Sequence, residues 1–419
     1  MTFFSTDRCR IESVPENGYV EDLQSSRRLT QGALVEQLAL ILYKCESGLP
    51  PIGENNNICF KGNWQKEVPK CEATCDTALI RGISISSLCE IDDAQTACSG
   101  LVKNGTRAVL TCQKGYDRGD AEEQISHCDV DKDWWPRPQA CTPICGILNS
   151  QEEFEFGRHH LPSYSVVPWH VGIYIQFSGK TEFRYACGGT ILNPKFIIAA
   201  MHCFVGADDG MPFDISLFRI VAGELRSRQL DETYSGNDNQ TFHVQEILNG
   251  GFKSVYTRVN NIALVILKTR IIFSDSVAPI CIEYGEKDYA PAGQNGVYFG
   301  YERYPTDESL PTLDALVVPI LSQIECKQKA HESFLGCILP ETICTGPLNN
   351  TDLGYCNADN GCGLTVARKI GERTVYFLHG LQSVVSGHDD ECNPNVFAAS
   401  VSVHYFKDFI SLAHGYQYL

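Results

Sequence analysis

The sequence predicts an all-β protein: two small disulfide-stapled modules, then a larger β domain that closes on a C-terminal helix. Three observations carry this expectation. Twenty cysteines lie among 419 residues, ten of them within residues 9–141. Beyond Pro168 come short apolar runs such as Val171-Gly-Ile-Tyr-Ile175 and Phe196-Ile-Ile-Ala-Ala200, of strand length and composition. Near the end, Phe406, Phe409, Ile410 and Ala413 recur at i, i+3, i+4 and i+7, an apolar stripe suited to docking a helix on β structure.

Hydrophobic residues make up 43% of the chain and charged residues 20%, which is globular material with cores to bury. The formal net charge of −17 excludes nucleic acid and anionic membrane as expected partners, because both require a positive field. So many cysteines point to an oxidising, extracellular setting. Three sequons, at Asn104, Asn239 and Asn349, mark candidate glycosylation sites. The cysteines lack the paired close spacing of a zinc site, so no metal or other cofactor is expected. No stretch approaches the ~20 apolar residues of a membrane span. Met1 is followed by no export signal. The secretory reading therefore makes residues 1–8 a stub and places the natural start upstream.

Cys9, Cys45, Cys59 and Cys71 bound a first block, residues 9–71, ending Gly62-Asn63-Trp64 and Pro69-Lys70-Cys71. A tryptophan shortly before a Pro-x-Cys ending resembles the sushi, or complement control, module. The resemblance implies the bridges Cys9–Cys59 and Cys45–Cys71, with Trp64 packed on a small β core. A domain of about 60 residues needs such staples because its core is small. Residues 75–141 resemble a second, modified sushi module through Cys112-Gln-Lys-Gly115-Tyr116 and Trp134-Trp135-Pro136 before Cys141. Here the resemblance implies Cys75–Cys128 and Cys112–Cys141, with the additional pair Cys89–Cys98 closing an inserted loop. Residues 142–167, with Pro143, Pro162 and an acidic stretch over 151–155, read as a linker.

From residue 168 to 419 the chain is similar to chymotrypsin-like (trypsin-type, S1) serine proteases, which implies a double β-barrel. Five ordered matches carry the resemblance: Pro168-Trp169-His-Val-Gly, Cys187-Gly-Gly-Thr with Ala200-Met-His202-Cys203, Asn260-Asn261-Ile-Ala-Leu, Pro279-Ile-Cys281, and Cys356-Asn-Ala-Asp-Asn-Gly-Cys-Gly. The family's chemistry needs a serine nucleophile, a histidine base, and a carboxylate that sets the histidine tautomer. The resemblance puts His202 at the base position, but Asn261 replaces the aspartate and Asn360 replaces the serine. An aspartate-to-asparagine exchange in such a triad costs about 10⁴ in kcat. Loss of the serine costs on the order of 10⁶. An amide nitrogen has no proton to surrender at neutral pH and forms no acyl-enzyme.

The surroundings depart as well. Ala358 stands at the oxyanion-hole glycine and Gly354 at the base of the specificity pocket, whereas Asp359, the family's activation-pocket carboxylate, is kept. No family cleavage sequence precedes Trp169, and Arg158 is the basic candidate in the linker. The implied bridges are Cys187–Cys203, Cys326–Cys344, Cys356–Cys392 and Cys145–Cys281, the last tethering the linker to the protease-like domain. Cys337 and Cys362 are left over, paired with each other or free. The order of two sushi-like modules and a protease domain resembles the insect modular serine proteases of extracellular immune cascades. The expectation is a secreted pseudoprotease, a non-catalytic homologue that binds extracellular proteins such as cascade proteases or pathogen-recognition proteins. The alternative is an active serine endopeptidase that initiates such a cascade.

Overall fold

The computed structural model describes residues 8–48, 50–82, 84–119, 122–148, 154, 157–161, 166–177, 180–206, 210–223, 229–230, 240–283, 292–301, 313–347, 361–386 and 396–415. The chain divides into two units, Met1–Thr142 and Pro143–Leu419.

In the first unit, one five-stranded sheet runs Arg28–Leu29, Gly18–Asp22, Leu40–Cys45, Asn56–Phe60, Asn63–Trp64. Alternation along Leu40–Cys45 sends Ile41 and Tyr43 inward onto Ile11, Val20 and Val35. Trp64 packs against this cluster and donates its indole N–H to the Arg10 carbonyl at 2.8 Å. Cys9–Cys59 and Cys45–Cys71 bridge the same region. A second five-stranded sheet runs Ala94–Thr96, Ile85–Ile91, Arg107–Cys112, Glu123–Cys128, Trp134–Trp135. Its core holds Ile80, Ala108, Leu110 and a fully buried Trp134, with Cys75–Cys128, Cys89–Cys98 and Cys112–Cys141 around it.

The second unit consists of two closed six-stranded antiparallel barrels. The first comprises β1 (His170–Gln176), β2 (Phe183–Ile191), β3 (Phe196–Ala199), β4 (Phe218–Ala222), β5 (Gln240–Asn249) and β6 (Ala263–Leu267), in the order β1-β4-β5-β6-β3-β2 with β2 returning to β1. The second comprises β7 (Asn295–Tyr301), β8 (Leu313–Leu321), β9 (Thr342–Thr345), β10 (Gly363–Ile370), β11 (Arg373–Val385) and β12 (Ala398–Ser402), in the order β8-β7-β10-β11-β12-β9 with β9 returning to β8. Closure removes the sheet edges that would otherwise expose unpaired backbone groups. Strands such as β3 and β6 are buried along their whole length, hence their continuous apolar composition. One apolar cluster, including Trp169, Phe196, Phe299 and Tyr376, draws residues from both barrels.

The helix Lys407–Gly415 follows the sequence stripe: Ile410 and Ala413 are buried in that cluster and Phe406, just before the helix, joins them. Asn193 ties the helix down by donating to the Ala413 carbonyl at 2.9 Å. Part of the stretch read as a linker is ordered barrel wall. Gly157–His160 pairs antiparallel with β8, Arg158 opposite Leu316, and Leu161 is buried in the core. Cys145–Cys281 joins the start of this unit to the end of the first barrel's sequence.

Candidate functional site

The register of β3 and β6 builds the site. Ala199 lies opposite Ala263 in antiparallel pairing, so the residues leaving β3 and those entering β6 emerge side by side. The chain after β3 turns into a short 3₁₀ helix, Met201–Phe204, that presents His202. Asn261 sits just before β6 and is fully buried. Ser383, also buried, comes from β11 in the second barrel, beside the irregularity in its pairing with β12.

These three side chains form one chain of hydrogen bonds, and its polarity is fixed. The Asn261 Oδ1 accepts the backbone N–H of His202 at 2.9 Å. A backbone N–H can only donate, so the amide oxygen must lie on that side. The Asn261 Nδ2 then faces the His202 Nδ1 at 2.8 Å and the Ser383 hydroxyl at 2.7 Å, and donates to both. An imidazole whose Nδ1 accepts carries its proton on Nε2. Nε2 is the nitrogen that a serine-type mechanism needs free as a base. In this arrangement it is a donor.

Burial pushes the His202 pKa down to about 3, and the nearby Arg258 guanidinium adds to the depression. The ring is neutral at physiological pH. Arg258 lies on the loop before β6 and takes a positive φ of 53°, as does Asn260. Burial holds the Arg258 guanidinium below its ordinary pKa, and Cys337 nearby works in the other direction.

Cys187 and Cys203, which flank this histidine, are joined at 2.04 Å. With His202 they bring three possible metal-ligating atoms within 4.8 Å of one another. A disulfide has no thiolate to offer, so this trio does not fit a metal ion. Cys326–Cys344 closes a loop of the second barrel. Cys337 and Cys362 do not bridge each other. Cys362 is buried, and its sulfur occupies the space a Cβ on Gly188 would need.

Gly354, Cys356, Ala358, Asp359, Asn360, Cys392, Asn239 and Asn349 lie outside the described residues. The described chain resumes at Gly361, whose N–H donates to the Gln382 carbonyl at 2.9 Å, one residue from Ser383. Gly361 has φ of +80°, and an added Cβ would come within 2.6 Å of the Gly188 carbonyl oxygen. Asn104 is exposed in the turn between the Leu101–Lys103 and Arg107–Cys112 strands. Ser383 and Arg258 escaped the sequence reading. A polar pair inside an apolar strand, Leu381-Gln-Ser-Val-Val385, was the available signal for the first. No local signal marks Arg258.

A family model described as Trypsin matches residues 156–410, more than half the chain. The "Modular serine protease" of Drosophila melanogaster is 26% identical over 62% of this chain and 42% of its own length. "Clotting factor C" of Tachypleus tridentatus is 25% identical over 68% of this chain and 28% of its own. The "Inactive CLIP domain-containing serine protease A8" of Anopheles gambiae is 27% identical over 64% and 70%. The chain thus spans less than half the length of the first two of these relatives.

Proposed function

Because this chain belongs to the trypsin family, we propose that it is a secreted, non-catalytic serine protease homologue that acts by binding proteins of an extracellular protease cascade. The observation that carries the reading is the Asn261–His202 hydrogen bond, which leaves the histidine neutral with its proton on the catalytic nitrogen. A base in that state cannot take a proton from a nucleophile. The resemblance of Cys356-Asn-Ala-Asp-Asn-Gly-Cys-Gly to the family's serine motif adds Asn360 at the nucleophile position and Ala358 at the oxyanion-hole position. The extracellular setting is supported by the disulfides, by the exposed sequon at Asn104, and by relatives named for clotting and modular proteases. A relative named as inactive shows that the family contains such homologues. The first unit, read as two sushi modules, would supply further binding surface, since its core uses none of the lost residues.

The test is labelling with a serine-reactive fluorophosphonate probe, alongside digestion of a peptide library. Wild-type protein should neither label nor cleave. Asn360→Ser alone should stay inert, because His202 still carries its proton on the wrong nitrogen. Asn261→Asp combined with Asn360→Ser should recover labelling with little turnover. Efficient hydrolysis by wild type, lost in His202→Ala, would return the protein to the enzymes.

A further inference from the structure

The outer face of the first barrel gathers cations from neighbouring strands. Phe218, Ile220, Phe242 and Val244 are buried, so strand alternation turns Arg219 on β4 and His243 on β5 outward, and the two are direct cross-strand partners. Lys268, just past β6, extends the row: its N–H donates to the His243 carbonyl at 2.9 Å. Residues directly opposite across a sheet have Cβ atoms about 5 Å apart. Lys195, just before β3, adds an ammonium that donates to the Lys268 carbonyl at 2.9 Å. The Ile271 N–H donates to the Pro194 carbonyl at 2.7 Å and sets Arg270 alongside Lys195. These groups sense one another's charge. Burial, then Arg219 and Lys268, hold the His243 ring below its ordinary pKa, and burial, then Arg270, lower that of Lys195.

Like charges brought together across a sheet cost stability, and a bound anion offsets that cost. The row is also held in place. The Arg219 guanidinium donates to the Ser216 and Phe218 carbonyls at 3.1 and 2.9 Å and lies 4.5 Å from the centre of the Phe183 ring. The Gln240 side chain donates to the Ile272 carbonyl at 2.6 Å and accepts the Ile272 N–H at 2.9 Å, which braces the segment carrying Lys268 and Arg270. Groups fixed in this way lose little freedom on binding. We propose that Arg219, His243, Lys268, Lys195 and Arg270 form a docking surface for a short acidic segment of a partner polypeptide. Two features favour a polypeptide over an extended polyanion. Ile272, 74% exposed, ends the same segment and offers an apolar contact beside the charges. The chain's net charge of −17 repels a long polyanion away from the row, whereas screening beyond about 8 Å leaves a short segment to the local cations. From the binding reading above the proposal takes only that the partner is a protein; it does not depend on the state of His202.

The experiment is fluorescence anisotropy on the full chain with two labelled dodecapeptides, one centred on Asp-Leu-Glu-Leu-Asp and one on Asn-Leu-Gln-Leu-Asn. The acidic peptide should bind wild type about tenfold more tightly. Lys268→Gln with Arg270→Gln should erase that preference. Lys369→Gln with Arg373→Gln removes the same charge from exposed positions of the second barrel and should keep it. An arm that needs no variant is NMR titration of the His243 ring, whose midpoint the acidic peptide alone should raise, since bound carboxylates favour the imidazolium. Equal binding of the two peptides, a preference that survives Lys268→Gln with Arg270→Gln or is lost equally in both double variants, or an unmoved His243 midpoint would overturn the proposal. Binding of heparin with no preference between the peptides would overturn the polypeptide class. Mass spectrometry of the recovered peptides keeps the readings apart: cleavage defeats the non-catalytic reading, while the affinity difference judges the docking surface.

Discussion

Asn261 differs from aspartate by one nitrogen, and its neighbours turn that small change into a reversal of proton direction. Its oxygen is held by the His202 backbone, so its nitrogen has to face the imidazole. Asn261→Asp should therefore raise the His202 pKa well above its depressed value of about 3, because a carboxylate favours the imidazolium. NMR titration of the His202 ring would check this; an unchanged midpoint would mean that burial and Arg258 govern the ring alone. His202 and Asn261 were legible in the sequence because each sits in a short local pattern, Ala200-Met-His-Cys203 and Asn260-Asn-Ile-Ala-Leu264. Ser383 was not, since its role arises from a contact spanning 122 positions of chain. Arg258 was not either, because what distinguishes it is its burial beside the site, which no linear pattern encodes.

Strands set how protons act on stability as well as on chemistry. His170, inside β1, is pushed by burial to a pKa of about 4, and His202 after β3 to about 3. In the unfolded chain both rings titrate near about 6.5. Between these values the unfolded state binds more protons, so stability is full above pH ~6.5 and falls as pH drops toward 4. Each ring contributes a slope of at most about 1.4 kcal/mol per pH unit. Urea unfolding should give a lower midpoint at pH 5 than at pH 7, and His170→Gln should flatten the difference; equal midpoints would refute the burial argument. At Gly361 the left-handed backbone and the 2.6 Å approach to Gly188 leave no room for a side chain. Gly361→Ala should cost at least about 1 kcal/mol from the backbone alone, read as a lowered melting temperature. Strands β1 and β3 were readable as apolar runs, whereas Gly157–His160 was not. A short Gly-Arg-His-His segment has no apolar alternation, and only pairing with β8 makes it a strand.

Across the whole chain, the all-β class and the terminal helix followed from cysteine crowding, apolar runs and one helical stripe. The closure of each barrel followed from the resemblance to chymotrypsin-like proteases and not from local patterns, because β1 with β2 and β8 with β9 meet through contacts that such patterns leave open. Long-range staples complement this architecture. Cys145–Cys281 spans 136 positions, and by loop-closure entropy its removal should cost about 2–5 kcal/mol. A Cys145→Ala, Cys281→Ala double variant should melt well below wild type by calorimetry; an unchanged transition would show that the barrels alone fix this end of the unit. The same bond has a biochemical signature. Everything from residue 146 to 280 lies inside a covalent ring, the strand at Arg158 included. A nick by a foreign protease anywhere in that ring would release no fragment. The cut molecule would migrate as one band on a non-reducing gel and part into two pieces with reductant; for a cut at Arg158, the larger piece keeps His202, Asn261 and Ser383 on the same polypeptide.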